Sequence, residues 1–244
     1  MDIYNNLLYV EKPGEEKFIY NNKTYYRYMD RIYIPSPPSE LSIEDVTSLS
    51  EIRIMRNGAV IDYSYTKELI SHLLTLIPAE HHTKMIDFGC GGGILDEVIT
   101  ENPSLFKSVK EIIGLDICQF AVEYSIKKYA SNTKIKYSAY KFSGSEPLKI
   151  KTNSINSVLS SFVMHFPIYE NQLEELYRVL VPGGYFVYND YIHHRYAGHT
   201  KRIIHRLMSI GFEVKAHPKG FEHPDTGDLK MHKIITARKP ISNP

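Results

Sequence analysis

A glycine-dense turn follows an apolar run in the segment M-I-D-F-G-C-G-G-G, from Met85 to Gly93. Its alternating glycines are Gly89, Gly91 and Gly93. Glycine lacks a Cβ, so it lets the backbone approach a ligand closely. A second apolar run, I-I-G-L-D-I, contains Asp116, whose carboxylate can accept hydrogen bonds from both hydroxyls of a ribose. This pattern predicts a site for an adenosine-containing cofactor on a parallel sheet.

The glycine spacing and a nearby acid distinguish between adenosine cofactors. A dinucleotide fingerprint requires G-x-G-x-x-G, but Ile94 and Asp96 stand where the last glycine would complete it, and no G-K-[S/T] follows. Asp87 lies two residues before Gly89. A carboxylate there would repel a pyrophosphate and attract an ammonium group. The residues therefore favour adenosine joined to an amino acid over a dinucleotide.

Four segments, in order, resemble the motifs of class I S-adenosylmethionine-dependent methyltransferases. D-F-G-C-G-G-G resembles their first motif, D-x-G-C-G-x-G, and G-L-D-I resembles their acidic second-strand motif. Leu159 to Phe166 is similar to their fourth strand, and Leu176 to Asp190 to their helix, turn and fifth strand. The resemblance covers roughly residues 66–237. It implies an α/β fold with a seven-stranded, doubly wound, Rossmann-like sheet whose last strand is antiparallel.

The same resemblance implies the cofactor, S-adenosyl-L-methionine, its product S-adenosyl-L-homocysteine, and roles for individual residues. Asp87 and the backbone from Gly89 to Gly91 would hold the amino-acid end, and Asp116 the ribose. After strand three the family often supplies an acid to adenine, but Lys141, Phe142 and Ser143 include none. Phe142 is therefore expected to stack on the adenine, and Ser143 or the backbone to make the polar contact. The predicted cofactor-binding residues are Asp87, Gly89, Cys90, Gly91, Gly93, Asp116, Ile117, Phe142, Ser143, Ser161 and Tyr65.

Candidates for a general base lie at the ends of strands four and five. They are His165, Tyr191 and His193, and a base is needed only if the acceptor is protonated and weakly acidic. Tyr65 precedes the first core helix and is expected to close over the cofactor. Seven of the eleven histidines follow residue 190, but their spacing matches no compact ligand motif, so no metal site is predicted.

The chain is predicted to consist of an N-terminal extension or lid, 1–65, and a methyltransferase core, 66–244. In the extension, Asn21-Asn22 indicates a β-hairpin, and a short helix is expected from Ser42. The core strands are predicted at Lys84–Phe88, Glu111–Asp116, Lys134–Tyr140, Ser154–Val163, Tyr185–Asp190, Phe212–Ala216 and Lys230–Ala237. The helices are predicted at Thr66–Ile77, Ile94–Thr100, Gln119–Ala130, Tyr169–Leu180 and Ala197–Ile210, with Thr66 as a cap.

The composition restricts the partners and the compartment. The formal net charge is +1, there are two cysteines, and neither a secretory signal pattern nor a membrane-length apolar run is present, so a cytoplasmic protein is expected. The first hypothesis is methyl transfer to a small-molecule acceptor, such as a natural product or a modified nucleotide or peptide. An RNA methyltransferase and a catalytically silent S-adenosylmethionine-binding scaffold or sensor remain as alternatives. The oligomeric state is left open.

Overall fold

The computed structural model describes residues 8–12, 15–28, 31–34, 36, 40–55, 63–132, 134–191, 198–222, 227 and 229–241. Of the helices within these ranges, none combines the length and the apolar character that crossing a membrane requires. The first strands are β1 Leu8–Lys12, β2 Glu15–Tyr20, β3 Lys23–Tyr28 and β4 Arg31–Tyr33, which pair antiparallel in chain order. They form a small N-terminal sheet.

The hairpin between β2 and β3 confirms the prediction at Asn21-Asn22. Both asparagines adopt positive φ, +47° and +59°, and Tyr20 pairs with Lys23 across the turn. Asparagine tolerates this conformation better than most residues, which explains the tight connection. The sequence did not predict β1 and β4, which extend this hairpin to a larger sheet. The helix α1, Ile43–Met55, follows the sheet at the predicted place, and the Ser42 hydroxyl accepts a hydrogen bond from Asp45 N.

The core alternates strands and helices as predicted. Its strands are β5 Lys84–Phe88, β6 Glu111–Asp116, β7 Lys136–Lys141, β8 Ile155–Ser160, β9 Leu180–Tyr191, β10 Glu213–Glu222 and β11 Leu229–Arg238. Its helices are α2 Ser64–Thr75, α3 Ile94–Glu101, α4 Gln119–Tyr129, α5 Pro167–Glu170, α6 Leu173–Val179 and α7 His199–Ile210. In the described residues a short 3₁₀ helix, Ala79–His81, also precedes β5.

The core strands form one sheet, which in the described part of the chain has seven strands in the order β10-β11-β9-β8-β5-β6-β7. The strands from β9 to β7 are parallel, while β11 runs antiparallel to both β9 and β10. This confirms the predicted doubly wound sheet with an antiparallel last strand. The strand order reverses between β5 and β8, and ligands of such sheets bind beyond the carboxyl ends of the strands at this switch point.

Both faces of the sheet are covered by apolar helix surfaces. Along β5, Ile86 and Phe88 face an apolar cluster that includes the buried residues of α6 and α7, while Met85 faces a second cluster with α2 and α3. The central strands β5, β6 and β8 are therefore buried almost throughout. Burial on both faces explains their nearly continuous apolar sequences, which is typical of parallel strands.

Some predicted helix boundaries were wrong. The predicted helix Tyr169–Leu180 is two helices, α5 and α6, and Leu180 instead begins β9. Helix α2 begins at Ser64, so Thr66 is not its cap. The predicted start of the last helix, Ala197, lies outside the described residues.

Strand ends were also misplaced. The predicted strand Ser154–Val163 is shorter, because the chain leaves β8 after Ser160 and turns at Phe162, which has positive φ. Strand β10 is longer than predicted and continues through Pro218, because an edge strand tolerates the missing N–H of proline. Both differences depend on neighbouring strands and not on local sequence.

We expect Gly114→Ala to destabilise the protein, because Gly114 lies on β6 where the sheet supports the glycine turn. A methyl group there would lie 2.7 Å from the Tyr137 hydroxyl and 2.9 Å from Cys90 Sγ, so it would be overpacked. The free energy of unfolding in urea should fall by about 1–3 kcal/mol, the usual effect of overpacking. Gly92→Ala is the control, since its methyl would meet nothing nearer than 3.6 Å. Equal stabilities of the two variants would contradict the prediction.

Candidate active site

The glycine turn after β5 is tied to the end of β6. The backbone N–H groups of Gly89 and Cys90 both donate to the Leu115 carbonyl oxygen, at 2.7 and 3.1 Å. Gly89, Gly91 and Gly93 all have positive φ, between +48° and +79°, where a side chain would be strained. The glycine positions are therefore required by the backbone conformation of the turn itself.

The three glycines differ in what surrounds them. A Cβ on Gly89 would lie 2.4 Å from a methyl group of Val163, and one on Gly93 would lie 2.4 Å from the Tyr129 ring. These two glycines therefore allow close packing inside the protein. A Cβ on Gly91 would meet no described atom within 4 Å, so the turn opens on a free space there. Gly91 is the glycine best placed to border a ligand.

Asp116 ends β6 and binds the same turn. Its carboxylate is almost fully buried, with Oδ2 accepting a hydrogen bond from Gly91 N and Oδ1 one from Cys118 N, both at 2.9 Å. Burial raises the pKa of Asp116, and hydrogen bonds from the backbone and from Tyr169 oppose that rise. These donors hold the carboxylate at the end of β6 beside the glycine turn, where the ribose is expected.

Asp87, near the end of β5, is buried, and no cationic side chain among the described residues offsets its charge. Burial, followed by repulsion from Asp116 and Asp96, raises the pKa of Asp87 to about 8. Asp96, on α3, is buried as well, and its pKa is raised to about 6, chiefly by burial.

An ammonium group would ionise Asp87 and relieve the repulsion between these acids. The open space at Gly91, the uncompensated charge of Asp87 and the carboxylate of Asp116 at the same turn together fit an adenosine-containing amino acid. That is the chemistry of S-adenosylmethionine.

Two other predicted cofactor residues, Cys90 and Ile117, are buried. Cys90 Sγ is buried beside Gly114 of β6. The thiol therefore packs inside the protein, and the Cys90 backbone is the part that would border a ligand. Ile117 is 3% exposed and belongs to the same apolar cluster as Val46 of α1. In a smaller cluster, Ile54 of α1 packs with Cys118. Helix α1 thus covers the start of α4, directly after Asp116.

The segment after β7 lies beside Asp116, where the adenine is expected. Phe142 N donates to the Asp116 carbonyl oxygen at 3.1 Å, and the Phe142 ring stacks on Phe88 with centroids 5.4 Å apart. Tyr169 contacts both rings edge-on. The Ser143 hydroxyl accepts hydrogen bonds from the backbone N–H groups of Ser145 and Glu146. These bonds stabilise the turn that follows β7. Phe142 and Ser143 thus lie at the carboxyl edge of the sheet, as expected. Both already contact other residues of the protein: Phe142 packs on two aromatic rings, and Ser143 binds the backbone of the next turn.

The turn after β8 carries the most unusual backbone conformation in the described residues. Ser161 is half-buried there, and the next residue, Phe162, has φ +59°, which is a genuine outlier for a bulky side chain. Phe162 N donates to Asn189 Oδ1 at 2.9 Å. Sequence patterns give no signal for a left-handed phenylalanine, so this feature and the role of Asn189 were missed.

The predicted general bases lie at the same edge of the sheet, as far as the structure describes them. His165 follows β8, is half-buried, and lies against the Phe166 ring with centroids 4.0 Å apart. Tyr191 is the last residue of β9 and pairs with His232 of β11. His193 lies outside the described residues. The Tyr65 hydroxyl, predicted to close over the cofactor, hydrogen-bonds to His232 Nε2.

No group of three or more His, Cys, Asp or Glu side chains in the described ranges is arranged to hold a metal ion. Two buried acids, Asp190 and Glu170, lie near the end of β9. Asp190 Oδ2 accepts a hydrogen bond from the Thr200 hydroxyl at 2.7 Å, and Glu170 forms an ion pair with Arg202 at 2.8 Å. His199 lies between the two acids, 3.8 and 3.6 Å from their oxygens. These contacts join the end of β9 to α5 and α7.

A comparison with protein families identifies the domain. A family model described as a methyltransferase domain matches residues 79–230, which is more than half of the 244 residues. The chain therefore belongs to this methyltransferase family. It contains a methyltransferase domain, as the resemblance of its four sequence motifs implied.

Curated relatives share this domain over part of their length. A sterol 24-C-methyltransferase of Candida albicans is 28% identical over 153 residues, 61% of this chain and 37% of that protein. A ribosomal protein L11 methyltransferase of Staphylococcus aureus is 27% identical over 154 residues, 61% of this chain and 45% of that protein. The matched part of the chain thus spans less than half the length of these relatives.

A solved structure supports the fold assignment. A SAM-dependent methyltransferase from Aquifex aeolicus superposes with a TM-score of 0.53 and 14% identity, covering 81% of this chain and 99% of that one. At this identity the similarity concerns the fold alone. The fold described above is therefore shared with a known methyltransferase.

Replacing Asp87 should affect stability and cofactor binding in opposite directions. Well below pH 3.8 the carboxyl group is protonated in both folded and unfolded chains. As the pH rises towards about 8, the unfolded chain ionises first, so the folded state loses stability. Asp87→Asn does not ionise, so its free energy of unfolding should exceed that of the wild type by at least about 1 kcal/mol at pH 8, and by less at pH 5. S-adenosylmethionine should bind at least about tenfold more weakly.

Asp96→Asn is the matched control. Because the raised pKa of Asp96 is about 6, its stability gain should be nearly complete by about pH 6 and should change little between there and pH 8. Urea unfolding at pH 5, 6.5 and 8 and calorimetry with S-adenosylmethionine measure both effects. Asp96→Asn should leave the affinity unchanged. Wild-type affinity in Asp87→Asn would remove the ammonium-binding role.

Proposed function

We propose that the protein transfers a methyl group from S-adenosylmethionine to a small-molecule acceptor, such as a natural product or a modified nucleotide or peptide. The observation that carries this proposal is the open space at Gly91, together with the buried carboxyl groups of Asp87 and Asp116 at the same turn. The cofactor would lie across the ends of β5 and β6, and the acceptor beyond the ends of β8 and β9.

The protein contributes binding and orientation at the cofactor end. Asp87 would pair with the ammonium group, the backbone from Gly89 to Gly91 would border the carboxylate, and Asp116 would accept the ribose hydroxyls. S-adenosylmethionine supplies an electrophilic methyl group on its sulfonium. Because transfer requires an acceptor atom held in line at about 3 Å, positioning by the protein accounts for much of the catalysis. The residues that would contact the adenine are Ile117, Phe142 and Ser143.

Residues of the acceptor side would exclude water and, where the acceptor is protonated, remove its proton. His165 and Tyr191 lie at the ends of the appropriate strands, and His193 follows in sequence. The N-terminal part, 1–65, would act as a lid over the core, 66–244. The packing of α1 on Ile117 and Cys118 supports this arrangement, because α1 lies directly over the segment that follows Asp116.

The acceptors for which the curated relatives are named differ in kind. The two curated relatives are named for a sterol and for a ribosomal protein, so the shared domain is used on different acceptors. A net charge of +1 favours a compact acceptor over a polyanion. Cys90 and Cys118 are both free and buried, which supports a reducing compartment such as the cytoplasm.

We expect calorimetry to detect binding of S-adenosylmethionine and S-adenosylhomocysteine, but not of NAD. Asp116→Asn should weaken binding of both ligands by about 1–3 kcal/mol, because the uncharged amide replaces a carboxylate acceptor of the ribose hydrogen bonds. Glu111→Gln is the control, since Glu111 lies at the opposite end of β6 and pairs with Lys84 and Lys136 on the surface. Binding of NAD with similar affinity would reject the cofactor assignment.

The acceptor can be sought with tritium-labelled S-adenosylmethionine and a cell extract divided into small-molecule, protein and RNA fractions. We expect the label to enter the small-molecule fraction and to survive ribonuclease. Label confined to a ribonuclease-sensitive fraction would favour the RNA hypothesis. Binding of the cofactor with no transfer to any fraction would favour the scaffold or sensor hypothesis.

A further inference from the structure

Four residues from four parts of the fold form a buried group at the end of β8. They are Phe162 after β8, Asn189 on β9, His232 on β11 and Tyr65 on α2, and all are buried. The Tyr65 ring stacks on the Phe162 ring with centroids 6.3 Å apart and 19° between the planes. The His232 ring lies 5.5 Å from Phe162, edge-on. Phe221 of β10 packs edge-on against both Tyr65 and His232.

The hydrogen bonds within this group have a defined direction. Phe162 N–H donates to Asn189 Oδ1 at 2.9 Å, which fixes the orientation of the Asn189 amide. Asn189 Nδ2 then faces His232 Nδ1 at 3.3 Å, and an amide nitrogen can only donate. His232 Nδ1 is therefore the acceptor and carries no hydrogen. The imidazole is neutral, with its hydrogen on Nε2, which donates to the Tyr65 oxygen.

This direction determines what His232 can do. Its Nδ1 is occupied by Asn189 and its Nε2 already carries a hydrogen, so the ring cannot take a proton from Tyr65. The direction of these hydrogen bonds therefore favours a structural role for the pair over a general-base role. What the network does supply is a rigid acceptor for Phe162 N–H, held from behind by two further buried hydrogen bonds.

Phe162 is connected to the glycine turn through the residues on either side of it. Ser160, two residues before Phe162, donates through its hydroxyl to the Phe88 carbonyl oxygen at 2.7 Å, directly before Gly89. Val163, the next residue after Phe162, occupies the space that a Cβ on Gly89 would need. The left-handed conformation of Phe162 lies between these two contacts. Its backbone angles therefore determine how Val163 packs on the first glycine.

We propose that Asn189, His232 and Tyr65 are positioning residues for the cofactor site, acting through the backbone of Phe162. The chain of hydrogen bonds holds Phe162 left-handed and so keeps Val163 against Gly89. This inference rests on the proposed function, because it assigns the residues to the same S-adenosylmethionine site. It requires no direct contact between Asn189 or His232 and the cofactor.

The experiment compares S-adenosylhomocysteine binding by calorimetry in single variants. Tyr65→Phe keeps the stacked ring and removes the acceptor of His232 Nε2–H, and Asn189→Leu removes the acceptor of Phe162 N–H. We expect about fivefold weaker binding in the first variant and about tenfold or more in the second, because in each variant a buried donor loses a hydrogen-bond acceptor. Tyr188→Phe is the matched control, since it removes a fully buried hydroxyl from the neighbouring position of β9. It should bind like the wild type.

Asn189→Asp separates positioning from general destabilisation. An aspartate still accepts the hydrogen bond from Phe162 N–H but cannot donate to His232, so its affinity should lie closer to the wild type than that of Asn189→Leu. Equal losses in the two variants, or wild-type affinity in both Asn189→Leu and Tyr65→Phe, would overturn the inference. Failure of the wild type itself to bind would instead reject the proposed function.

Nitrogen-15 NMR of the histidine rings tests the assigned hydrogen-bond direction independently of ligand binding. In the wild type, His232 should be neutral with hydrogen on Nε2, and in Asn189→Asp its hydrogen should move to Nδ1 or the ring should become charged. A wild-type His232 with hydrogen on Nδ1 would contradict the assigned direction and overturn the proposal.

Discussion

The buried acids at the carboxyl edge of β5 and β6 impose the main physical constraint on this structure. Placing Asp87 and Asp116 under one glycine turn removes both from water, and burial is the largest cause of the raised pKa of each. Asp116 is partly compensated by backbone N–H donors, while no cationic side chain of the described residues compensates Asp87. The protein without ligand therefore contains an electrostatic cost that a cationic amino-acid ligand would offset. Selection for a binding site explains why such a cost is retained.

The rest of the fold supplies the geometry that this constraint requires. Parallel strands bring the ends of β5 and β6 to one edge, and the double hydrogen bond to Leu115 O fixes the turn between them. Helices cover both faces of the sheet, so the carboxyl edge is where a ligand would approach the acids. Helix α1 then packs over the start of α4, next to Asp116. The proposed cofactor site is thus bordered by the core and by α1.

Features set by local sequence were predicted well, and features set by tertiary contacts were not. The burial of β5 and β6, the glycine turn and the Asn21-Asn22 hairpin follow from short-range patterns and were confirmed. The break between α5 and α6 has no glycine or internal proline to announce it. The extension of β10 through Pro218 depends on its place at the sheet edge, which only the topology defines. The conformation of Phe162 depends on Asn189, which is 27 residues away in sequence.

The two sides of the site therefore differ in how they are held. On the β5 and β6 side, glycines adopt positive φ without steric cost, and charge is the unfavourable term. On the β8 side, a phenylalanine adopts positive φ at a real steric cost, and a buried polar network compensates for it. Val163 against Gly89 is the contact where the two sides meet. Because both sides carry an unfavourable term, the shape of this contact is better explained by ligand binding than by stability.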